Sequence, residues 1–365
     1  MFDENEAKRQ TFRKPLDRKL DINPIYEQLY KNELVEYMKN IKIGIESDKI
    51  DINTIDKFKE DWSRGIFSNI ESILKSYDIS YFKDIFKDKP IIVIGAGPSL
   101  NKNVHLLKEI EGKACIICAF SAARVLKNNN ITPDFLVSVD SKQYGLEEYE
   151  ANIPLIYSRE ANKDLLKNHK SKKVIYISEW EIFLRDILEK DDEAPAISMS
   201  GTVSSFSAAA AYYFGASEII LLGQDFSWTE DKAHADGTVH KIEECYKAYH
   251  GKQIKEKDIY GNTVYTNRAF YDFKVWFDNF SKSIFATKII QATEGGLPIE
   301  NAETLTFRQA IDKYCKDKYC DVKEILNSKY ESSKIIEEET DREKVFEKIK
   351  IFYKETKDMK KTAKE

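Results

Sequence analysis

The residues best suited to acid–base chemistry lie in the span Ser227–Gly261, which holds His234, His240 and His250, three of the chain's five histidines. A span of that length without evident secondary structure reads as a loop covering an active site. Neutral imidazole is the ordinary side chain for taking a proton near pH 7. His234, in the run His234-Ala235-Asp236-Gly237-Thr238, is therefore a candidate general base, with His240 as the next choice. The histidine spacings do not resemble the HExxH pattern of a metal site, and no metal ligands are assigned.

Two further clusters suit an anionic ligand. The run Pro90-Ile91-Ile92-Val93-Ile94 is followed by Gly95-Ala96-Gly97-Pro98-Ser99-Leu100 and then by a helical pattern. Two glycines would let backbone N–H groups approach a phosphate, Ser99 adds a hydroxyl, and the next helix can point its positive end inward. The loop is neither a full GxGxxG nor a Walker A sequence. The second cluster, Ser198-Met199-Ser200-Gly201-Thr202-Val203-Ser204-Ser205, precedes a small-residue helix and then the strand pattern Glu218–Leu222, which ends in Gly223-Gln224-Asp225-Phe226. Helix capping accounts for any one Ser or Thr here. Convergence of both clusters with Gln224 and Asp225 on one rim favours a site.

These groups need a scaffold that brings them together. Short β-branched runs at Ile91–Ile94, Ala114–Ala119, Phe135–Val139, Leu155–Tyr157, Val174–Ile177, Glu218–Leu222 and Lys288–Gln291 alternate with helical segments at Val104–Glu111, Ala122–Asn129, Asp164–His169 and Glu179–Lys190. Apolar strands alternating with helices predict an α/β fold with a doubly wound, mostly parallel, Rossmann-like sheet. Ligands of such sheets sit at the carboxyl ends of the strands, where Asp140 also falls. Helical additions flank this core at 1–88 and 304–365: residues 20–88 carry helical apolar spacing (Ile25, Leu29, Leu34, Tyr37, Met38, Ile41), and 304–361 contain neither Gly nor Pro. We place the core at 89–303. The tail from Asp341 reads as a solvated helix laid on the body through Val345, Phe346, Ile349 and Phe352.

Composition excludes several classes. A formal net charge of -5 gives no global positive field for nucleic acid. With 42% apolar residues, 20 Tyr and 20 Phe, the chain has material for a core and is not disordered. No apolar run approaches the roughly 18 residues of a membrane span, and the opening residues lack the centre of a signal peptide, so a cytoplasmic location is expected. Five cysteines make no secreted framework, and Cys115 and Cys118 read as part of a buried strand rather than a redox turn.

Taken together, GAGPSL, the SVDS segment at Ser138–Ser141, SGTVSSFSAAAAYYFGASEIILLGQDF at 200–226, HADGT at 234–238 and ATEGG at 292–296 resemble the motility accessory factor (Maf) family of bacterial flagellin glycosyltransferases. The core is shared with archaeal 6-hydroxymethylpterin diphosphokinases of the MptE type. It is also similar to bacterial sialyltransferases that use CMP-sialic acid. The resemblance covers about residues 85–312 and implies a nucleotide-sugar-binding core. It implies that Gly95, Gly97, Pro98 and Ser99 hold the CMP part, with Ala96 where those sialyltransferases have Asn, and that Ser200, Gly201 and Thr202 hold a phosphate or carboxylate. Asp140 and Gln224 are further candidates for the same donor-binding rim, with no role given to Asp140, which a helix cap would explain as well. His234 would be the base, and Asp225 would orient the loop or the ribose.

The implied reaction moves a nonulosonic acid, pseudaminic or legionaminic in type, from a CMP-activated donor to Ser or Thr of flagellin. No cofactor is expected for it, and the chain can be an oligomer. The alternative implied by the archaeal branch is diphosphoryl transfer from ATP to 6-hydroxymethyl-dihydropterin, with Mg²⁺ held by Asp140 and Asp225. A non-catalytic flagellin-binding protein would need only the terminal helices.

Overall fold

The computed structural model describes residues 23–35, 37–38, 41, 65, 67–141, 152–178, 181–190, 195, 202–228, 232–238, 253–316 and 320–362. The chain divides into two units, Met1–Asp61 and Trp62–Glu365. In the first, the helix Pro24–Leu29 starts with proline at its first position, and Asn23 Oδ1 accepts the Ile25 N–H at 3.0 Å.

The second unit is built on one nine-stranded sheet. In chain order its strands are β1 (Tyr77–Asp78), β2 (Pro90–Ile94), β3 (Cys115–Ala119), β4 (Phe135–Ser138), β5 (Leu155–Tyr157), β6 (Lys173–Ile175) and β7 (Glu218–Leu222). A hairpin of β8 (Ile254–Lys257) and β9 (Thr263–Thr266) stands apart, and β10 (Lys288–Gln291) and β11 (Glu303–Thr304) complete the sheet. The spatial order is β1-β6-β5-β4-β3-β2-β7-β10-β11, and every pairing in it is parallel. This is the doubly wound α/β architecture that the sequence predicts.

Buried on both faces, such strands have no polar side, which explains their continuous apolar runs. Ile92 and Ile94 of β2 join the core cluster on one face of the sheet, and Ile91 and Val93 join the other. The helix Val203–Tyr213 packs on β2, β3 and β4. Its run Ala208–Ala211 is wholly buried, and alanine lets the helix backbone lie close to the strands.

From β2 the chain winds outward through β3, β4, β5 and β6 before β7 returns to the other side of β2. That reversal makes the crevice between the carboxyl ends of β2 and β7 the topological switch point, the favoured ligand position in an open α/β sheet.

Several elements differ from the sequence reading. Val104–Ile110 winds as a 3-10 helix after a short helix at Leu100–Asn103. The strand read at Val174–Ile177 spans Lys173–Ile175, although Tyr176 and Ile177 stay buried beyond it. The span Ser227–Gly261 is not all loop, because it contains β8. The Trp228 N–H donates to Tyr265 O at 2.9 Å and so ties its beginning to β9. Beyond β11 the described residues form helices at Phe307–Ala310, Val322–Ser332 and Arg342–Thr362. The last lies against the body through buried Val345 and half-buried Phe346 and Ile349, and Phe352 meets Phe183 at a ring separation of 4.2 Å.

Cys115 and Cys118 lie fully buried on β3 as free thiols, and burial pushes both well above the ordinary thiol range. Among the described residues no helix is long and apolar enough to cross a membrane.

Candidate active site

A cleft of about 300 Å³ opens at the switch point. From the sequence-predicted residues it brings together Ala96, Gly97, Asp140, Thr202, Gln224, Asp225 and His234. Gly95, Pro98 and Ser99 stand behind this lining, with Ser99 fully buried. Ser200, Gly201, His240 and His250 lie outside the described residues.

The two loops at the switch point are bonded to each other. Gly95 N–H donates to Leu222 O at 2.8 Å, and Gly97 N–H to Gly223 O at 2.9 Å. The expectation that these glycines free backbone N–H groups for a phosphate is therefore corrected: both donors are engaged within the protein. What requires glycine is the approach of the β7 loop. A Cβ at Gly95 would lie 2.4 Å from Gln224 Nε2, and one at Gly97 would lie 2.7 Å from Gly223 O and 2.8 Å from Asp225 Cγ. No side chain fits there without displacing its neighbours.

Asp225 is 3% exposed and clasps Ser99, accepting its N–H on Oδ2 at 2.8 Å and its hydroxyl on Oδ1. Burial pushes the carboxyl up to about 6, against the lowering effect of those two hydrogen bonds and of nearby Lys102. The ATEGG segment braces the same turn from behind. Leu297 N–H donates to Asp225 O at 2.8 Å, and Gly296, at φ +80, passes so close that a Cβ would lie 2.3 Å from that oxygen. Phe226, at φ 52, completes a turn that only its surroundings can impose.

The HADGT loop is pinned to the first glycine loop. Ala235 N–H donates to Ala96 O at 2.8 Å, and Asp236 N–H to Asn101 Oδ1 at 3.2 Å. This places half-buried His234 on the cleft wall beside Ala96.

Thr202 caps the helix Val203–Tyr213, with its Oγ1 accepting the Ser205 N–H at 3.1 Å. The positive end of that helix, with Thr202, Val203 and Ser204, borders the cleft.

Asp140 reaches the cleft because Asn162 holds its segment. Asn162 N–H donates to Asp140 O at 2.8 Å and its Nδ2 to Ser141 O at 2.9 Å, while its Oδ1 caps the helix Lys163–Asn168. Sequence reasoning missed Asn162, although its position just before a crossover helix marks an N-cap. It also missed Phe270 and Phe273, which line the cleft from the helix Arg268–Ser283. Their three-residue spacing on one helix face was the available signal. Ala119, the last residue of β3, and Phe120 and Ser121 after it belong to the same carboxyl-end rim.

The arrangement can hold an anionic ligand between neutral donors and a helix start, with aromatic rings on one wall and an imidazole at the side. Among the described residues, no Lys or Arg lines the cleft, and none of the His, Cys, Asp and Glu side chains gather as a group able to hold a metal ion.

A family model described as 6-hydroxymethylpterin diphosphokinase MptE-like matches residues 64–231. A curated relative, 6-hydroxymethyl-7,8-dihydropterin pyrophosphokinase of Methanocaldococcus jannaschii, is 30% identical over 184 residues, covering 47% of this chain and 73% of that protein. Among solved structures, the Maf glycosyltransferase from Magnetospirillum magneticum AMB-1 matches with a TM-score of 0.54 at 19% identity. That match covers 73% of this chain and 43% of the other, and it is a likeness of fold.

Proposed function

The chain belongs to the 6-hydroxymethylpterin diphosphokinase MptE-like family, and from that premise we propose that it is a glycosyltransferase using a CMP-activated nonulosonic acid, of the pseudaminic or legionaminic type. The acceptor in this reading is a Ser or Thr hydroxyl of flagellin in the cytoplasm. The observation that carries it is the charge character of the cleft: its described lining has no Lys or Arg, and one of its two carboxylates, Asp225, is spent on Ser99. Neutral donors and a helix N-terminus suit the single phosphate of a CMP-sugar better than the triphosphate of ATP. His234, on the side wall, would take the acceptor proton. No cofactor is needed for this chemistry. The Maf fold likeness supports the same choice.

The identity to the archaeal pyrophosphokinase favours a second reading, transfer of a diphosphoryl group from ATP to a pterin alcohol. In that reaction Mg²⁺ would offset the phosphate charge, with Asp140 the other carboxylate that lines the cleft. Thermal unfolding of the purified protein with CMP or ATP, each with and without Mg²⁺, separates the two. Stabilisation by CMP without metal is the expected result. A response to ATP alone, and only with Mg²⁺, would replace the first reading by the second.

A further inference from the structure

The floor of the cleft holds a donor with nothing to donate to. Gln224 follows left-handed Gly223 at the end of β7, is 3% exposed and lines the cleft. Its Nε2 has no hydrogen-bond partner among the described residues. The amide lies over Gly95, in space that exists only because residue 95 lacks a Cβ. A buried NH2 left unpaired is unfavourable, and a ligand that supplies the acceptor relieves it.

Most of the backbone N–H groups of the glycine loop are already engaged. Gly95 and Gly97 donate to β7 and its loop, Ser99 N–H to Asp225, and Leu100 N–H to Gly97 O. Pro98 has no N–H. The glycine loop is thus pressed against the β7 turn, and at the β2–β7 crevice the Gln224 side-chain nitrogen is a buried donor left without a partner. The helix Val203–Tyr213 points its N-terminus into the same cleft.

We propose that Gln224 binds the phosphate of the donor nucleotide, its side-chain NH2 donating to a phosphate oxygen. The inference rests on the nucleotide reading above and deepens it by naming the residue that meets the leaving group. In glycosyl transfer the sugar C–O bond to phosphate breaks and its electron pair stays on the phosphate oxygen. The acceptor hydroxyl oxygen forms the new C–O bond, and its proton passes to His234. A fixed donor on the phosphate strengthens as that charge develops, so it acts on the transition state more than on the ground state.

The test uses Gln224→Glu, which keeps the shape and replaces the donor by an anion, and Gln224→Met, which removes the donor. Binding of CMP and cytidine, and of AMP and adenosine, is measured by calorimetry on the full chain. Gln224→Glu should weaken the nucleotide by at least ~10-fold and leave the matching nucleoside unchanged. Gln224→Met should weaken the nucleotide ~5- to 10-fold without lowering the Tm of the ligand-free protein, since no protein partner is lost. Equal weakening of nucleotide and nucleoside, unchanged nucleotide affinity, or a clear fall in ligand-free Tm for Gln224→Met would each overturn the assignment. If the wild type binds AMP in place of CMP, the CMP donor falls and the Gln224 assignment is judged on AMP. If it binds no nucleotide, both fall.

Discussion

Ser99 and Asp225, 126 positions apart, are joined twice, by the Ser99 N–H to Oδ2 and by its hydroxyl to Oδ1. This clasp locks the loop after β2 to the loop after β7 across the switch point. Asp225 lines the cleft, but both its oxygens face an internal partner, so its part in the site is to position the two loops. Hydrogen bonds to a charged group contribute about 1.5–3 kcal/mol. Ser99→Ala should therefore lower unfolding stability by roughly that amount in urea titrations and weaken nucleotide binding with it. A Ser99→Ala protein as stable as the wild type would show that the clasp holds nothing.

The same carboxyl makes stability depend on pH. Its folded value is raised from 3.8 to about 6, chiefly by burial, so the folded state holds this proton more tightly than the unfolded chain. The native state binds more protons between these values, and stability falls as pH rises from about 4 to 6. The loss on this group amounts to roughly 3 kcal/mol by pH 7. Asp134 and Glu181 are raised to about 6 and about 7 by burial and slope the same way, so the comparison needs a variant. Asp225→Asn should gain on the wild type between pH 4 and pH 7 in denaturant titrations, whatever its stability at one pH. Parallel curves would mean that Asp225 titrates as in water.

Two adjacent glycines of ATEGG should respond oppositely to alanine. Gly296 has φ +80, and its Cβ would strike the Asp225 backbone, whereas a Cβ at Gly295 finds its nearest neighbour at 3.9 Å, on Ser99. Gly296→Ala should cost about 1–3 kcal/mol or more, combining strain with overpacking, and should disturb the cleft through Asp225. Gly295→Ala should stay within about 0.5 kcal/mol of wild type. Thermal unfolding of the pair checks this directly.

Much of this architecture is legible in the residues. The longer strands have continuous apolar runs, since a parallel sheet buries both faces, and the crossover helices sit between them. β1 and β11, two residues each, carry no period to detect. The hairpin escaped notice because β8, Ile254-Lys255-Glu256-Lys257, has one apolar residue in four and packs little of itself away. Its turn is nevertheless encoded: Asp258 Oδ1 accepts the N–H groups of Tyr260 and Asn262, the side-chain mimicry typical of Asp in turns. In the site, local sequence identifies rim residues but cannot say that β7 returns beside β2. That long-range pairing is what consumes the N–H groups of Gly95 and Gly97 and buries the Gln224 amide nitrogen beside Gly95 without a partner.

The C-terminal helix should be part of the stability of the core unit. Phe352 packs on Phe183 at 4.2 Å and near Phe67 at 6.1 Å, and Val345 is fully buried. Phe352→Ala should destabilise by about 2–3 kcal/mol, below the cost of emptying a fully enclosed aromatic site because the ring is only half-buried. Exposed pairs on this helix, such as Arg342 with Glu71, should each contribute under about 1 kcal/mol. An unchanged urea midpoint for Phe352→Ala would detach the helix from the fold.

His234 should govern chemistry and not binding. Its loop is fixed to the glycine loop by the Ala235 N–H to Ala96 O bond, so removing the imidazole leaves the surrounding backbone supported. His234→Ala should slow sugar transfer by about 10²- to 10⁴-fold, the usual contribution of a positioned acid–base group, with CMP affinity nearly unchanged. Calorimetry with CMP and single-turnover transfer assays separate binding from chemistry. Transfer at the wild-type rate, with chemistry shown to be limiting, would remove His234 as the base and make His240 the next residue to test. Lost CMP affinity would instead make His234 a contact of the donor.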